Sequence, residues 1–164
     1  MGDPTIFTEA EQSFLRELNR RGVEYMIVGL AAAALQGVPA VTQDIDLWFK
    51  DLSDPRIGEA LQQVGGIYVP PSLSTPPMFA GKNVALFDIV LTMHGLRSFD
   101  REMKDAVNIR VGRMTLKVLS LERIIASKKA TNRQKDRLVL PVLKDALTTI
   151  KRTAVPRGKR SRRR

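Results

Sequence analysis

Apolar and polar positions follow two different periods along this chain, and each period predicts one kind of element. Residues 8–21 carry an apolar stripe at helical spacing, and Thr8 with Glu11 has the Thr-x-x-Glu pattern that caps the start of a helix. Residues 44–50 instead alternate apolar and polar side chains, as half-buried strands do. Applied to the whole chain, these patterns predict helices over 8–21, 30–36, 55–64, 98–106, 120–130 and 134–151, and strands over 23–28, 44–50, 84–91, 107–110 and 114–119.

The order of these elements predicts the fold class. Helices and strands alternate, so we expect an α/β or α+β fold in which helices flank a mixed central sheet. Residues 84–91 are almost entirely apolar except for Asp88, as is typical of a central strand. Residues 65–82 hold four prolines and three glycines, which predicts a long irregular connection.

Composition excludes several kinds of chemistry. The chain of 164 residues has no cysteine, which excludes disulfides, thiolate metal sites and cysteine nucleophiles. Its one histidine leaves almost no room for a histidine metal cage or a Ser-His-Asp triad. No apolar run approaches the roughly 20 residues that span a bilayer, and the first residues lack the pattern of a signal peptide. We therefore expect a cytoplasmic protein that does not enter a membrane.

The net charge of +10 is distributed unevenly. Residues 151–164 contain eight lysines and arginines and no acid, so the rest of the chain has a net charge of only +2. This contrast predicts one folded domain over 1–150 and a basic, disordered tail over 151–164. The tail would either bind a polyanion through phosphate contacts or serve only as a solubilising end.

Three aspartates carry the most informative pattern. Asp44 and Asp46 lie two residues apart in a predicted strand, so their carboxylates point the same way and repel each other unless a cation lies between them. Mg²⁺ suits such a site because it prefers carboxylate and phosphate oxygens. Asp88 needs a partner if its apolar strand is buried, and it would complete a cluster of three carboxylates if the two strands are neighbours. Each acid taken alone is equally typical of a solvated strand end or a cap.

Two stretches of the chain carry a family resemblance. The stretch VGLAAAALQGVPAVTQDIDLWF resembles the nucleotidyltransferase superfamily related to DNA polymerase β, in which an apolar-Gly-Gly/Ser motif precedes an Asp-apolar-Asp/Glu-apolar motif. Here 13 residues separate Gly29-Leu30 from Asp44. The sequence FDIV around Asp88 is similar to the strand that supplies the third carboxylate of that superfamily. The stretch VLSLERIIASKKATNRQKD resembles small prokaryotic members, among them minimal nucleotidyltransferases and abortive-infection toxins, so that the resemblance spans about residues 10–140.

The resemblance implies an activity and a set of roles. It implies transfer of a nucleoside monophosphate from a nucleoside triphosphate to a hydroxyl on a protein, an RNA 3′ end or a small molecule, with Mg²⁺ or Mn²⁺ as the cofactor. Asp44 and Asp46 would hold both ions, and Asp88 would hold the ion that activates the acceptor. The toxin relatives imply a possible antitoxin-like partner protein.

The residues that would bind the nucleotide match the family pattern less well than the three aspartates do. Gly29 and Leu30 occupy the phosphate-binding motif, and the branched Leu30 replaces the usual Gly or Ser, so a hydroxyl contact is lost while the backbone amides remain. Lys128 and Arg133, in a basic cluster with Lys129 and Lys135, would face the nucleotide or form an ordinary solvated surface. The departure at position 30 leaves a second function open, an inactive module that binds nucleotide or metal. The basic tail leaves a third, a nucleic-acid-associated protein in which the folded body is a scaffold.

Other residues admit both a functional and a structural interpretation. We expect Trp48 to pack in the core rather than stack on a base, and Asp136 to pair with a neighbouring cation rather than bind metal. His94 is interpreted as a loop residue, and Thr42 with Gln43 as ordinary residues at a strand start. Residues 69–81 could gate the site, contact an acceptor or merely connect two elements.

Overall fold

A computed structural model describes residues 6–154 of the chain. The elements within this part follow the predicted alternation of helices and strands closely, apart from one additional pair of short strands. In chain order they are α1 (Glu9–Arg20), β1 (Tyr25–Val28), α2 (Gly29–Leu35), β2 (Ile45–Phe49), α3 (Pro55–Gln63), β3 (Ile67–Val69), β4 (Met78–Ala80), β5 (Phe87–Val90), α4 (Phe99–Lys104), β6 (Val107–Val111), β7 (Met114–Val118), α5 (Leu121–Thr131) and α6 (Gln134–Ala154).

Five of the strands form a mixed sheet in the order β5-β2-β1-β7-β6. Strand β1 is antiparallel to β2 and parallel to β7, while β2 and β5 are parallel. The register sets Asp46 of β2 opposite Val28 of β1 on one side and Asp88 of β5 on the other. The predicted fold class, a mixed sheet flanked by helices, is therefore confirmed, and the condition for bringing Asp88 to the other acids is met.

Two expectations about the strands are wrong. The segment predicted as a central strand forms β5, which lies at the edge of the sheet and whose Asp88 is exposed. The irregular connection predicted over 65–82 contains β3 and β4, which pair with each other as a separate two-stranded sheet. Its four prolines fall between these strands and hide them in the sequence, while Tyr68 and Phe79 face each other across the pair.

The helices differ from the prediction mainly at their ends. The capping box of α1 is complete, because the Glu11 amide donates to Thr8 Oγ1 at 3.2 Å and the Thr8 amide donates to Glu11 Oε2 at 2.8 Å. Helix α6 contains Pro141 and continues to Ala154, four residues beyond the predicted domain boundary. The remainder of the predicted tail, residues 155–164, lies outside the described residues.

The core lies between the sheet and the helices on it. Phe14 of α1 is fully buried and makes edge-to-face contacts with Phe79 and Phe87, with ring centroids 5.5 and 5.1 Å apart. The buried alanines of α2 let this short helix lie close to β1 and β2. Within residues 6–154, no helix has both the length and the apolar character needed to cross a membrane.

Candidate active site

A cavity of about 780 Å³ lies where β1 ends and β2 begins, and helices α5 and α6 form its opposite wall. All seven residues for which the sequence predicts a catalytic, metal-binding or nucleotide-binding role line this cavity. They are Gly29, Leu30, Asp44, Asp46, Asp88, Lys128 and Arg133.

The strand register places Asp46 and Asp88 side by side, with Asp44 close to Asp46 in the chain. Asp46 and Asp88 are direct neighbours on the parallel strands β2 and β5, and Asp44 immediately precedes β2. Adjacent strands lie roughly 5 Å apart, so the two neighbouring carboxylates start from closely spaced backbone positions. Asp46 and Asp88, which are far apart in the sequence, therefore lie on the same wall of the cavity.

Gly29 is where β1 ends beside Asp46. Its φ angle is +66°, a left-handed conformation that favours glycine, and a Cβ atom at this position would collide with the Asp46 carboxylate. Leu30 is half-buried, packs against the core and also borders the cavity. A glycine at position 29 is thus required both by the turn into α2 and by the place that the Asp46 side chain occupies.

Burial, together with repulsion between neighbouring carboxylates, sets the electrostatics of this acidic wall. Burial and the nearby Asp88 and Asp44 carboxylates raise the pKa of Asp46, while the ammonium groups of Lys128 and Lys135 partly oppose this rise. Partial burial and Asp44 also raise the pKa of Asp88. Across residues 6–154, the carboxylates of Asp46 and Asp88 make no hydrogen bond and no ion pair. Their negative charge is consequently available to a ligand.

The donor set suits a hard divalent cation, although it does not form a closed cage. Carboxylate oxygens are the ligands that Mg²⁺ and Mn²⁺ prefer, and a cation between repelling carboxylates lowers their electrostatic energy. In the described part of the chain, no three histidine or acidic side chains are grouped closely enough to enclose a metal ion. A cation here would have to complete its coordination with oxygens from another source, and Mg²⁺ commonly does so with water and substrate phosphates.

The opposite wall is built on a buried acid, Asp136. Its carboxylate is fully buried and accepts hydrogen bonds from Lys128 Nζ at 3.2 Å, Thr131 Oγ1 at 2.8 Å and Arg133 Nε at 2.8 Å. Burial alone would raise its pKa, but the bonds from Arg133, Thr131 and Lys128 outweigh burial and hold the pKa well below the usual range. Asp136 therefore pairs with cations, as predicted, and fixes Lys128 and Arg133 at the edge of the cavity.

Several cavity residues were not assigned a role from the sequence. Thr92 and Met93 follow β5, and Ser127 and Thr131 lie on α5; all four line the cavity. Thr92 and Met93 belong to no motif, and only the sheet order, which sets β5 beside β2, could have revealed them. Ser127 and Thr131 lie in the stretch 118–136 that carries part of the resemblance, but nothing in its pattern marks them.

The residues with two interpretations can now be located. Trp48 is buried and lies edge-to-face on Phe99 at 5.3 Å, so the expectation of core packing is confirmed. His94 and Thr42 line the cavity, whereas Gln43 does not. Lys135 lines it as well, while Lys129 and the whole of residues 69–81 lie elsewhere.

Comparisons with known proteins establish the fold. No protein-family model matches the chain, and neither does any curated protein. The crystal structure of ANT(2'')-Ia in complex with adenylyl-2''-tobramycin matches with a TM-score of 0.58 over 85% of this chain and 88% of that chain, at 14% identity. The fold is that of a nucleotidyltransferase.

Two further structures belong to the same comparison. The solution structure of the antibiotic-resistance factor ANT(2'')-Ia matches this nucleotidyltransferase fold with a TM-score of 0.57, at 15% identity, over 86% of this chain and 82% of that chain. A nucleotidyltransferase-like protein from Paracoccidioides brasiliensis matches with a TM-score of 0.49 at 15% identity, over 89% of this chain and 88% of that chain. At these identities the likeness is one of fold.

Proposed function

We propose that this protein is a metal-dependent nucleotidyltransferase that moves a nucleoside monophosphate from a nucleoside triphosphate to an acceptor hydroxyl. One observation carries the proposal: Asp44, Asp46 and Asp88 all line the same cavity of a nucleotidyltransferase fold, with Asp46 and Asp88 side by side on neighbouring strands. The acids keep their charge free of internal partners, and the lysines across the cavity suit a polyphosphate. A reaction that consumes a nucleoside triphosphate also suits the cytoplasm.

Each wall of the cavity would have its own part in the reaction. Asp44 and Asp46 would hold two divalent ions and Asp88 one of them, and these ions supply charge stabilisation for the attacking and leaving oxygens at the α-phosphorus. Lys128 and Lys135, which already act electrostatically on Asp46, would bind the phosphates. The amides at Gly29 and Leu30 would face the triphosphate.

The bond changes are those of an in-line displacement. The acceptor oxygen bonds to the α-phosphorus, the bond from that phosphorus to the bridging oxygen breaks, and pyrophosphate leaves. The hydroxyl proton passes to Asp88 or to solvent.

Label transfer tests the proposal. The protein would be incubated with Mg²⁺ or Mn²⁺, each α-labelled nucleoside triphosphate, and total cell RNA and protein as acceptors. Metal-dependent labelling that disappears in Asp44→Asn and Asp88→Asn supports the proposal. Asp145→Asn is the matched control, because this exposed aspartate of α6 lies outside the cavity. Labelling that survives in Asp88→Asn contradicts the assigned roles.

Leu30 favours a second candidate, a module that binds a nucleotide without turnover. Its half-buried, branched side chain borders the cavity where the resemblance expects a glycine or a hydroxyl. Calorimetry with Mg²⁺ and α,β-methylene-ATP, set beside the labelling experiment, separates the two candidates. Tight binding with no label transfer onto any acceptor, water included, supports the module.

The acceptor determines the biological role. ANT(2'')-Ia was solved with adenylyl-2''-tobramycin, so an aminoglycoside belongs among the small-molecule acceptors to be tested beside RNA and protein.

A toxin-type role with an antitoxin-like partner requires that expression arrests growth and that Asp46→Asn relieves the arrest. If the basic tail instead serves nucleic-acid binding, removing residues 155–164 lowers RNA affinity and its salt dependence while α6 stays intact.

A further inference from the structure

The segment that follows β5, residues 91–98, forms one wall of the cavity and is fastened to α5. Its residues 92–94 line the cavity. Gly95 has a φ angle of +75° and lies so close to Ala130 of α5 that a Cβ at position 95 would collide with the Ala130 methyl group. This close approach sets the middle of the segment against α5, and the half-buried Met93 and Leu96 on either side of it pack against the core.

Arg97 makes a second and stronger attachment. Its backbone amide and its Nε both donate to Glu102 Oε1, at 3.0 and 3.1 Å, and its Nη2 donates to Glu102 Oε2 at 3.2 Å and to Asp105 Oδ2 at 2.6 Å. Glu102 is fully buried and also accepts from Arg123 of α5, whose Nη2 lies 2.8 Å from Oε1. A single buried carboxylate therefore joins the segment to the helix that carries Lys128.

This network has more bonds than closing a surface connection requires. Burying a charged network gains little stability over apolar packing, whereas it fixes the relative positions of its members when every polar group is satisfied. The members fixed here are the segment that carries residues 92–94 and α5, which both line the cavity and meet at Gly95 and Ala130. The segment follows the strand that carries Asp88, the acid on the acceptor side of the proposed reaction.

We propose that Arg97 is a positioning residue: through Glu102 it fixes residues 92–94 as the acceptor-side wall, and His94 is the residue of this wall that contacts the acceptor. This inference rests on the proposed function only where it assigns His94 to an acceptor. The attachment of residues 92–94 through Arg97 does not depend on that function. It assigns the nucleotide to the lysine wall and the acceptor to the His94 wall.

The single histidine allows the attachment to be tested without substrate. Arg97→Lys and Arg123→Lys both replace a guanidinium that holds Glu102 by an ammonium, yet only Arg97 belongs to the segment. In Arg97→Lys, we expect the His94 Hε1 resonance to move to its unfolded-chain position and the amides of residues 92–97 to exchange about tenfold faster or more. Arg123→Lys leaves every hydrogen bond of Arg97 in place, so both observables should change clearly less than in Arg97→Lys. Equal effects in the two variants, or no effect in Arg97→Lys, would overturn the proposal.

A milder variant keeps the test valid if Arg97→Lys does not fold. Asp105→Ala removes only the contact at 2.6 Å from the exposed side of Arg97, and the same two observables should change in the same direction by a smaller amount. Unchanged His94 and amide signals in this folded variant would also contradict the proposal.

Transfer onto cell extract tests the role of His94. In Arg97→Lys and His94→Gln, label transfer onto the extract should fall about 10- to 100-fold, because a displaced acceptor loses its alignment. The Kd for α,β-methylene-ATP with Mg²⁺ should stay within about twofold, since Lys128 keeps its own anchor on Asp136 in both variants. A matching loss of nucleotide affinity refutes the division of walls. If the wild type transfers nothing, the proposed function fails, while the histidine resonance still decides whether Arg97 fixes the segment.

Discussion

Two pairs of acids in this protein lie in opposite electrostatic environments. Glu102 and Asp136 are fully buried, and each is held by two cationic side chains and has a lowered pKa. Asp46 and Asp88 share a cavity wall, repel other acids and have raised pKa values. Burial acts in the same direction on all four, so the presence or absence of a cationic partner decides the sign of the shift.

This difference separates acids that build the fold from acids that are available for chemistry. A buried carboxylate with two cations stabilises the elements it joins: Glu102 joins the segment 91–98 to α5, and Asp136 joins α5 to α6. A carboxylate kept beside another without a partner costs stability, and a protein retains such an arrangement where a ligand supplies the missing charge. The four predictions below test this distinction in order of decreasing effect.

Amide substitution should change stability in opposite directions at the two kinds of acid. Glu102→Gln and Asp136→Asn should each lower the free energy of unfolding by about 3 kcal/mol, because each leaves two cations without their carboxylate. Asp46→Asn should leave it unchanged or raise it by roughly 1 kcal/mol, since a repulsion is removed. Urea unfolding of the three variants measures this. A loss of stability in Asp46→Asn as large as in Asp136→Asn would contradict the distinction.

The pH dependence of stability should reveal the paired acids. Arg123 and Arg97 outweigh the effect of burial and hold the pKa of Glu102 at about 2, below the roughly 4.3 of an unfolded chain. Its contribution is therefore complete above pH ~4.3 and is lost as the pH falls towards 2, for a total of roughly 3 kcal/mol. Denaturant titrations at several pH values should give a smaller loss on acidification in Glu102→Gln than in the wild type. Equal slopes would mean that Glu102 keeps its ordinary pKa.

The position of the unpaired Asp46 carboxylate, and with it the activity, should depend on Gly29. Gly29→Ala forces an alanine into a left-handed conformation, at a cost of about 1–2 kcal/mol, and drives its methyl group against Asp46. Gly37→Ala is the control, because Gly37 also has a positive φ angle, +91°, but has open space around it. Both variants should lose stability, while Gly29→Ala alone should lose label transfer. Equal activity in the two variants would remove the argument that Gly29 sets the Asp46 carboxylate.

The smallest effect is expected from a substitution at Leu30, on nucleotide affinity. Leu30→Ser restores the hydroxyl that the resemblance expects, and one hydrogen bond contributes about 0.5–1.5 kcal/mol, or up to about tenfold in affinity. Calorimetry with α,β-methylene-ATP should therefore give tighter binding, together with a small loss of stability from the removed apolar contact. Weaker binding would indicate that Leu30 itself contacts the nucleotide.

Sequence patterns reach furthest where one local rule decides the outcome. The capping box of α1, the alternation in β2 and the order of helices and strands all follow from residues close together in the chain. Local patterns could not identify β5 as an edge strand, because an apolar run is compatible with several positions in a sheet. They also missed β3 and β4, since the prolines between these strands mask two segments of only three residues.

The same difference between local patterns and distant contacts applies to the residues of the candidate site. Asp44, Asp46 and Gly29 belong to one motif and could be named from it, and Asp88 could be added because it is the single acid of an apolar strand. Residues 92–94 and the network around Glu102 depend on contacts between distant segments. No periodicity or spacing records such contacts, so only the folded chain reveals them.

Divalent-cation binding tests the central claim most directly. Mn²⁺ binding would be followed by electron paramagnetic resonance in the presence of α,β-methylene-ATP, for the wild type, Asp46→Asn and the exposed control Asp145→Asn. The account predicts that the wild type and the control bind Mn²⁺ equally, and that Asp46→Asn binds it at least about tenfold more weakly. Unchanged Mn²⁺ affinity in Asp46→Asn would show that the three carboxylates do not form a cation site, and would contradict the account.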